Sequence, residues 1–288
     1  MTSPITFDRK LEDVGNIIKL EHVNLAIPDQ RLATIFYVSG LGLTRDPYLM
    51  TGVDNMWINA GDSQFHLPTG SPQTLRGCVG LVIPDRGALM SRLSSVRELL
   101  TGSKFDFAEH EDHVEAVCPW GNRIRCHSLD PARFGATTLA MPYVEFQVPR
   151  ESATAIAEFY TEVFMAPVRL IDAGGEPMAV VAVGATQELR FRETQAVPVA
   201  YDGHHIQIYV ADFSRPYERL KERSLITEES DQHQYRFLHI VNPHDNAIKF
   251  TIEHEIRSMR HPLYARPLVN RNPSQSNRYY LPGRDALG

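Results

Sequence analysis

The sequence has only three cysteines, Cys78, Cys118 and Cys126, and no two of them form a Cys-x-x-Cys pair. An odd and sparse set with that spacing excludes a disulfide framework and a zinc ribbon. Nowhere do about eighteen apolar residues run uninterrupted, which excludes an obvious membrane-spanning helix. The N-terminal stretch MTSPITFDRKLEDVGN lacks the apolar segment of a secretion signal. No block of Lys and Arg forms a basic stripe, and 29 basic against 35 acidic residues give a formal charge of -6. A nucleic-acid partner is therefore not expected. These absences point to a soluble protein of a reducing cytoplasm.

What is present is ordinary globular composition, with 43% hydrophobic and 22% charged residues over 288 positions. That length suggests two domains. A self-similar pattern organises most of it. LEHVNLAIPD at 20–29 is echoed by RGCVGLVIPD at 76–85, MPYVEFQVPR at 141–150 and GHHIQIYVAD at 203–212. Each is an apolar alternation of strand period, and each is followed by a segment whose apolar residues recur three or four apart, as on a helix. Shorter alternating runs separated by turn residues then close each unit. Four units of strand, helix and three strands cover residues 19–256, and PARFGATT near 131–138 separates the second from the third.

The repeated unit, opening on HVNLAIPD with FYVSGLGL and closing on GDSQFHLPTG, resembles the vicinal oxygen chelate superfamily. That group includes glyoxalases, extradiol dioxygenases, methylmalonyl-CoA epimerase and bleomycin or fosfomycin resistance proteins. The resemblance spans 19–256 and is most like the type I extradiol dioxygenases. It implies an α+β glyoxalase/dioxygenase-like fold in which tandem βαβββ modules pair into two open, U-shaped barrels. The expected domains are an N-terminal extension (1–18), an N-terminal barrel of two modules (19–134), a C-terminal barrel of two modules (135–256) and a tail (257–288).

The resemblance also implies a divalent metal, Fe(II) or Mn(II), held on a concave face by the first and last strands of paired modules. Side chains alternate across a strand, so one face of a curved sheet can gather imidazoles and carboxylates toward a common centre. Carried over position by position, the ligand sites fall on His22 and His66 in the first unit, Cys78 and Arg125 in the second, Tyr143 and Arg190 in the third, and His205 and Lys249 in the fourth. Glu253 shares the parity of Lys249, about 13 Å further along the strand, and is the expected carboxylate ligand if a slip or bulge brings it in.

Two pockets are expected from this layout. The first gathers His22, Asn24, Gln64, His66, Cys78 and His127; the second gathers Tyr143, Glu145, Arg190, His205, Gln207, Lys249 and Glu253. In the second, His205 and Tyr143 are the candidate proton-moving groups, because imidazole titrates near neutrality and cations lower a tyrosine pKa. Arg190, Lys249, Gln207 and Glu145 are the candidate substrate contacts, with the two cations suited to a carboxylate or phenolate. Arg190 and Lys249 equally suit ion pairs with Glu145 or Glu253. His204 faces away from His205 and reads as structural, and Cys78 and Cys126 read as small buried hydrophobes. The Pro-rich tail has no sustained periodicity and is expected to lie extended over a barrel mouth or a neighbouring subunit.

The leading function is ring cleavage of an aromatic diol by a metal-dependent, extradiol-type dioxygenase. An isomerase or lyase working through an enediolate and a metal-free sequestering protein are the alternatives. The partner is a small molecule, and a homodimer is the default assembly.

Overall fold

The pair Pro-Asp, at 28–29 and again at 84–85, does the same local work twice in the computed structural model. Asp29 sits in extended conformation and accepts from the backbone N–H of Arg31 and Leu32, starting helix α1 (Gln30–Ala33), which runs on as a π-helical stretch to Gly40. Asp85 accepts from Ala88 N–H and starts α2 (Arg86–Val96). A carboxylate in that position satisfies the N–H groups that the first helical turn leaves unpaired. The structure describes residues 7–50, 52–196, 199–273, 275, 278, 286 and 287.

Four strand–helix–three-strand modules follow the repeats in the sequence. The first holds β1 (Ile17–Asn24), α1, β2 (Thr44–Arg45), β3 (Asn55–Ala60) and β4 (Ser63–Pro68); the second holds β5 (Gly77–Val82), α2, β6 (Asp106–Glu109), β7 (His113–Val117) and β8 (Arg123–His127). A short helix α3 (Pro131–Phe134) crosses to the third, made of β9 (Ala140–Pro149), α4 (Ala153–Phe164), β10 (Val168–Asp172), β11 (Pro177–Ala182) and β12 (Glu188–Thr194). The fourth holds β13 (His205–Val210), α5 (Ser214–Glu222), β14 (Ile226–Asp231), β15 (Gln234–Val241) and β16 (Ile248–Ser258). In every module the first strand runs parallel to the last.

The modules assemble into two eight-stranded open sheets, but their pairing differs from the expected one. One sheet has the order β14-β15-β16-β13-β1-β4-β3-β2 and the other β10-β11-β12-β9-β5-β8-β7-β6. The first module is thus joined to the fourth through β1 and β13, and the second to the third through β5 and β9. Residues 19–134 do not close into one barrel and 135–256 into another. All four opening strands carry the same apolar alternation, so each offers the same kind of antiparallel edge, and nothing local selects its partner.

The sheets share one continuous core. Phe146 and Phe191 of one meet Phe250 of the other at 5.6 and 6.1 Å between ring centroids. Gln187, in the β11–β12 turn, receives Leu20 N–H and donates to Leu20 O, Ser63 Oγ and Met141 O, pinning the sheets together. Helix α4 lays Tyr160 and Phe164 on Phe191 and Phe237. Beyond β16 the chain runs back along the first sheet. Asn270 exchanges hydrogen bonds with the backbone of Gly61, Asn59 donates to Val269 O, and Arg266 pairs with buried Asp46 at 2.7 Å. The part of the tail that lies within the described residues is thus tied to the first module by hydrogen bonds and an ion pair. No helix among the described residues is long and apolar enough to cross a membrane.

Candidate metal centre

Register across the joined first and fourth modules brings distant residues into two adjacent rows. One row reads His66 (β4), Asn24 (β1), His205 (β13), Glu253 (β16), and the next reads Gln64, His22, Gln207, Glu255 on the same strands. Residues two apart along a strand share a face. His22, His66 and His205 consequently converge, with one ligand atom from each lying within 4.8 Å of the others. The expected pockets are re-sorted by this pairing: His22 and His66 join His205, Gln207 and Glu253, whereas Cys78 and His127 join Tyr143, Glu145 and Arg190.

A bulge explains the orientation of His22. Leu20 pairs with Ile208 and His22 with Gln207, so β1 advances two residues while β13 advances one. The extra residue is Glu21, and a bulge breaks the strict alternation of faces. Glu21 thereby reaches its own neighbour: His22 Nδ1 donates to Glu21 Oε2 at 2.7 Å, and both side chains are buried. With Nδ1 carrying the proton, Nε2 presents its lone pair, and that buried atom has no hydrogen-bond partner. His205 Nε2 is likewise buried without one. Burial, reinforced by the neighbouring imidazoles and arginines, holds all three histidines below their usual range, His66 to about 3. Neutral imidazoles are the protonation state that a metal requires.

The His22 and His66 rings are packed and hydrogen-bonded by their neighbours. Trp57 stacks on His66 at 3.8 Å and meets His22 edge-on at 5.0 Å, while His66 Nε2 pairs with Asn55 Oδ1 at 2.8 Å. Glu253 Oε2 lies 3.4 Å from His205 Nδ1 and accepts from Arg236 Nη1 at 2.7 Å. Glu255 is bridged by Arg236 and Arg257, and Arg257 also faces Glu21 at 3.7 Å. Glu253 needs no slip to reach this row, since it is the direct strand partner of His205. Lys249, four residues earlier, stands outside the stretch of β16 that pairs with β13.

The corresponding face of the other sheet is filled. Its rows read Arg125, Gly80, Tyr143, Glu188 and Arg123, Cys78, Glu145, Arg190. Tyr143 takes the place of His205, and a Cβ on Gly80 would stand 2.3 Å from its ring, so the glycine makes room for that ring. Its hydroxyl bonds to His127 Nε2 at 2.8 Å, and the Arg190 guanidinium lies 3.8 Å over the ring. Burial pushes the Tyr143 pKa up despite two nearby arginines, contrary to the expected lowering. Arg190 pairs with Glu188, and Glu145 with Arg192 and Arg125. Arg190 and Lys249 lie on different sheets and do not form a joint anion site. Cys78 and Cys126 are buried thiols raised to about 11 and about 12 by desolvation. His204 faces away from the centre as expected and bonds to Asp202 at 2.6 Å.

Sequence reasoning missed Glu21, Arg236, Glu255, Arg257, Asp46 and Arg266. Glu255 was within reach, two residues from Glu253 on one face; Glu21 was not, because a strand without the bulge turns it away from His22.

Comparison with known proteins agrees with the architecture. Glyoxalase I from Zea mays superposes with a TM-score of 0.59 at 13% identity, over 83% of this chain and 92% of that one. A candidate dioxygenase from Bacillus subtilis subsp. subtilis strain 168 gives a TM-score of 0.56 at 12% identity, over 86% and 87%. No family model matches the chain, and no curated protein matches it in sequence. The chain shares the fold of these two structures.

Proposed function

We propose that this protein is a metal-dependent enzyme whose working centre lies on the face shared by the first and fourth modules, and that it catalyses an oxygen-independent isomerase or lyase reaction. The observation that carries the reading is the convergence of His22, His66 and His205, two of them with orphaned buried nitrogens. The three-imidazole donor set fits a first-row divalent ion such as Fe(II) or Mn(II), with Glu253 beside His205 kept for proton transfer. When bound, such an ion supplies a Lewis acid that draws in two neighbouring substrate oxygens and offsets the negative charge that develops there.

The chain's own groups do the rest. Glu21 fixes the His22 ring, and Trp57 fixes the His66 ring. Arg236 holds Glu253 beside His205, where the carboxylate is placed to take a proton from a substrate carbon and return it to the neighbouring one. Burial of His22 and His205 keeps bulk water from competing for that proton.

A carboxylate beside the three imidazoles is the group that a proton transfer between neighbouring carbons needs, and Glu253 supplies it 3.4 Å from His205 Nδ1. The type I extradiol dioxygenases that the sequence resembles are expected to pair consecutive modules, whereas here the first pairs with the fourth and the second with the third. Extradiol cleavage remains the second reading, supported by the two-histidine, one-carboxylate subset formed by His22, His205 and Glu253. The test is turnover by Mn(II)- or Fe(II)-loaded protein of the hemithioacetal of methylglyoxal and glutathione without oxygen, beside catechol with oxygen. Anaerobic turnover lost in Glu253→Gln supports the first reading; oxygen uptake with catechol supports the second. Binding without turnover of either class contradicts both.

A further inference from the structure

Gln64 and Gln207 flank His22 in a single row, and both are fully buried. Their amides are not satisfied in the same way. Gln64 Nε2 donates to Asp46 Oδ2 at 3.0 Å and to Asn59 Oδ1 at 2.6 Å. The opposite orientation of that amide is excluded by chemistry. Asp46 is an acceptor held by Arg266 and by the N–H groups of Tyr48 and Leu49, and Asn59 is oriented by its own Nδ2 donating to Val269 O. Gln64 Oε1 is therefore fixed as a bare acceptor, buried and without a partner. On the other side of His22, neither Oε1 nor Nε2 of Gln207 has a partner. An orphaned buried polar atom of this kind has given up its hydration without a replacement hydrogen bond. Three of them in one row beside a metal centre mark where a ligand completes the hydrogen bonding.

We propose that Gln64 and Gln207 are the substrate-recognition pair of the centre, selecting a ligand that carries a neutral hydroxyl or N–H group next to its two chelating oxygens. The inference rests on the metal-centre reading above and adds the substrate class to it. Gln64 Oε1 accepts from the ligand's donor, and Gln207 both donates and accepts. A carboxylate or phosphate in that place sets an acceptor against the bare carbonyl oxygen of Gln64 and leaves it without a donor. The C-terminal segment takes part at one remove: Arg266 holds Asp46, and Asp46 holds Gln64.

The test uses the full chain loaded with Co(II), titrated without oxygen and followed by its visible absorption. The probes are three catechols that share one chelating pair and differ at the adjacent carbon: pyrogallol with a hydroxyl, 3-methylcatechol with a methyl, and 2,3-dihydroxybenzoate with a carboxylate. Pyrogallol is expected to bind about tenfold more tightly than the other two, the worth of one hydrogen bond. In Gln64→Leu and Gln207→Leu that advantage is expected to shrink to within about twofold while Co(II) affinity is kept. Arg266→Met, a change at a partly exposed side chain, is expected to weaken it in the same direction, so that the test does not depend on a core substitution folding. Equal affinity for the three probes, preference for the carboxylate, no binding of any probe, or a pyrogallol advantage that survives all three substitutions overturns the proposal. Failure of the wild-type chain to bind Co(II) is seen before any probe is added, and it overturns the metal centre itself.

Discussion

Glu21 and Gly80 show how single residues separate the two faces. Glu21 is the counterpart of no predicted ligand, yet it sets the tautomer of His22. Carboxylates that orient a ligating histidine are typically worth 10–100-fold in metal affinity. Glu21→Ala is accordingly expected to weaken Mn(II) binding by about that factor in calorimetric titration, with an unchanged circular dichroism spectrum; unaltered affinity contradicts the assigned role. Gly80→Ala drives a methyl group into the Tyr143 ring and is expected to cost about 1–3 kcal/mol in urea unfolding without changing metal affinity. His22, His66 and His205 were legible as candidates: His22 and His205 each stand third in an opening-strand repeat, His66 lies in the closing strand of the first unit, and His205 was assigned proton transfer instead of ligation. Glu253 was half legible: its parity puts it on the face it occupies beside His205, but a turn-based alignment placed Lys249 first, since the length of the β15–β16 loop does not fix the register of β16.

At the scale of elements, local signals and long-range partners contribute in different measure. Asp29 and Asp85 cap helices where the sequence says so. Helix α4 is capped from outside: Glu193 Oε1, at the end of β12, accepts from the N–H groups of Ser152 and Ala153, which no local motif announces. Replacing it with alanine leaves those donors without their carboxylate, and a thermal-unfolding loss of about 1 kcal/mol is expected for Glu193→Ala. A loss no larger than that of an exposed control such as Glu218→Ala contradicts this view of the cap. The four modules themselves were readable from periodicity, because each opening strand and helix carries its pattern within about 25 residues. Which modules share a sheet was not, because that choice depends on edges that look alike in sequence, and it determined which site residues meet.

For the whole molecule, acid is the most informative stress. Burial holds His254 and His66 to about 3 and His127 and His261 to about 4, while unfolded histidine titrates near 6.5. His254 has both nitrogens engaged, Nδ1 donating to Ile252 O and Nε2 paired with the Tyr160 hydroxyl, so a proton taken at Nε2 displaces the hydroxyl proton from its acceptor. A depressed histidine pKa favours the folded state fully above the unfolded value and progressively less below it. Glu21 and Glu255, raised by burial, oppose the trend but are fewer. The urea midpoint of metal-free protein is thus expected to be level above about pH 7 and to fall between about pH 6.5 and 5, before most carboxylates titrate. A midpoint that stays level to pH 5 contradicts the neutral, buried state of these histidines.

The most direct test of the central claim is metal content, by elemental analysis of chelator-stripped protein reloaded with Mn(II) without oxygen. It compares the wild type with His22→Ala, His66→Ala, His205→Ala and the other-face variants Tyr143→Phe and His127→Ala. About one ion per chain is expected in the wild type and in both other-face variants, and loss of the ion in each of the three histidine variants. An ion retained in all three, or lost only when Tyr143 or His127 is changed, contradicts a centre built between the first and fourth modules.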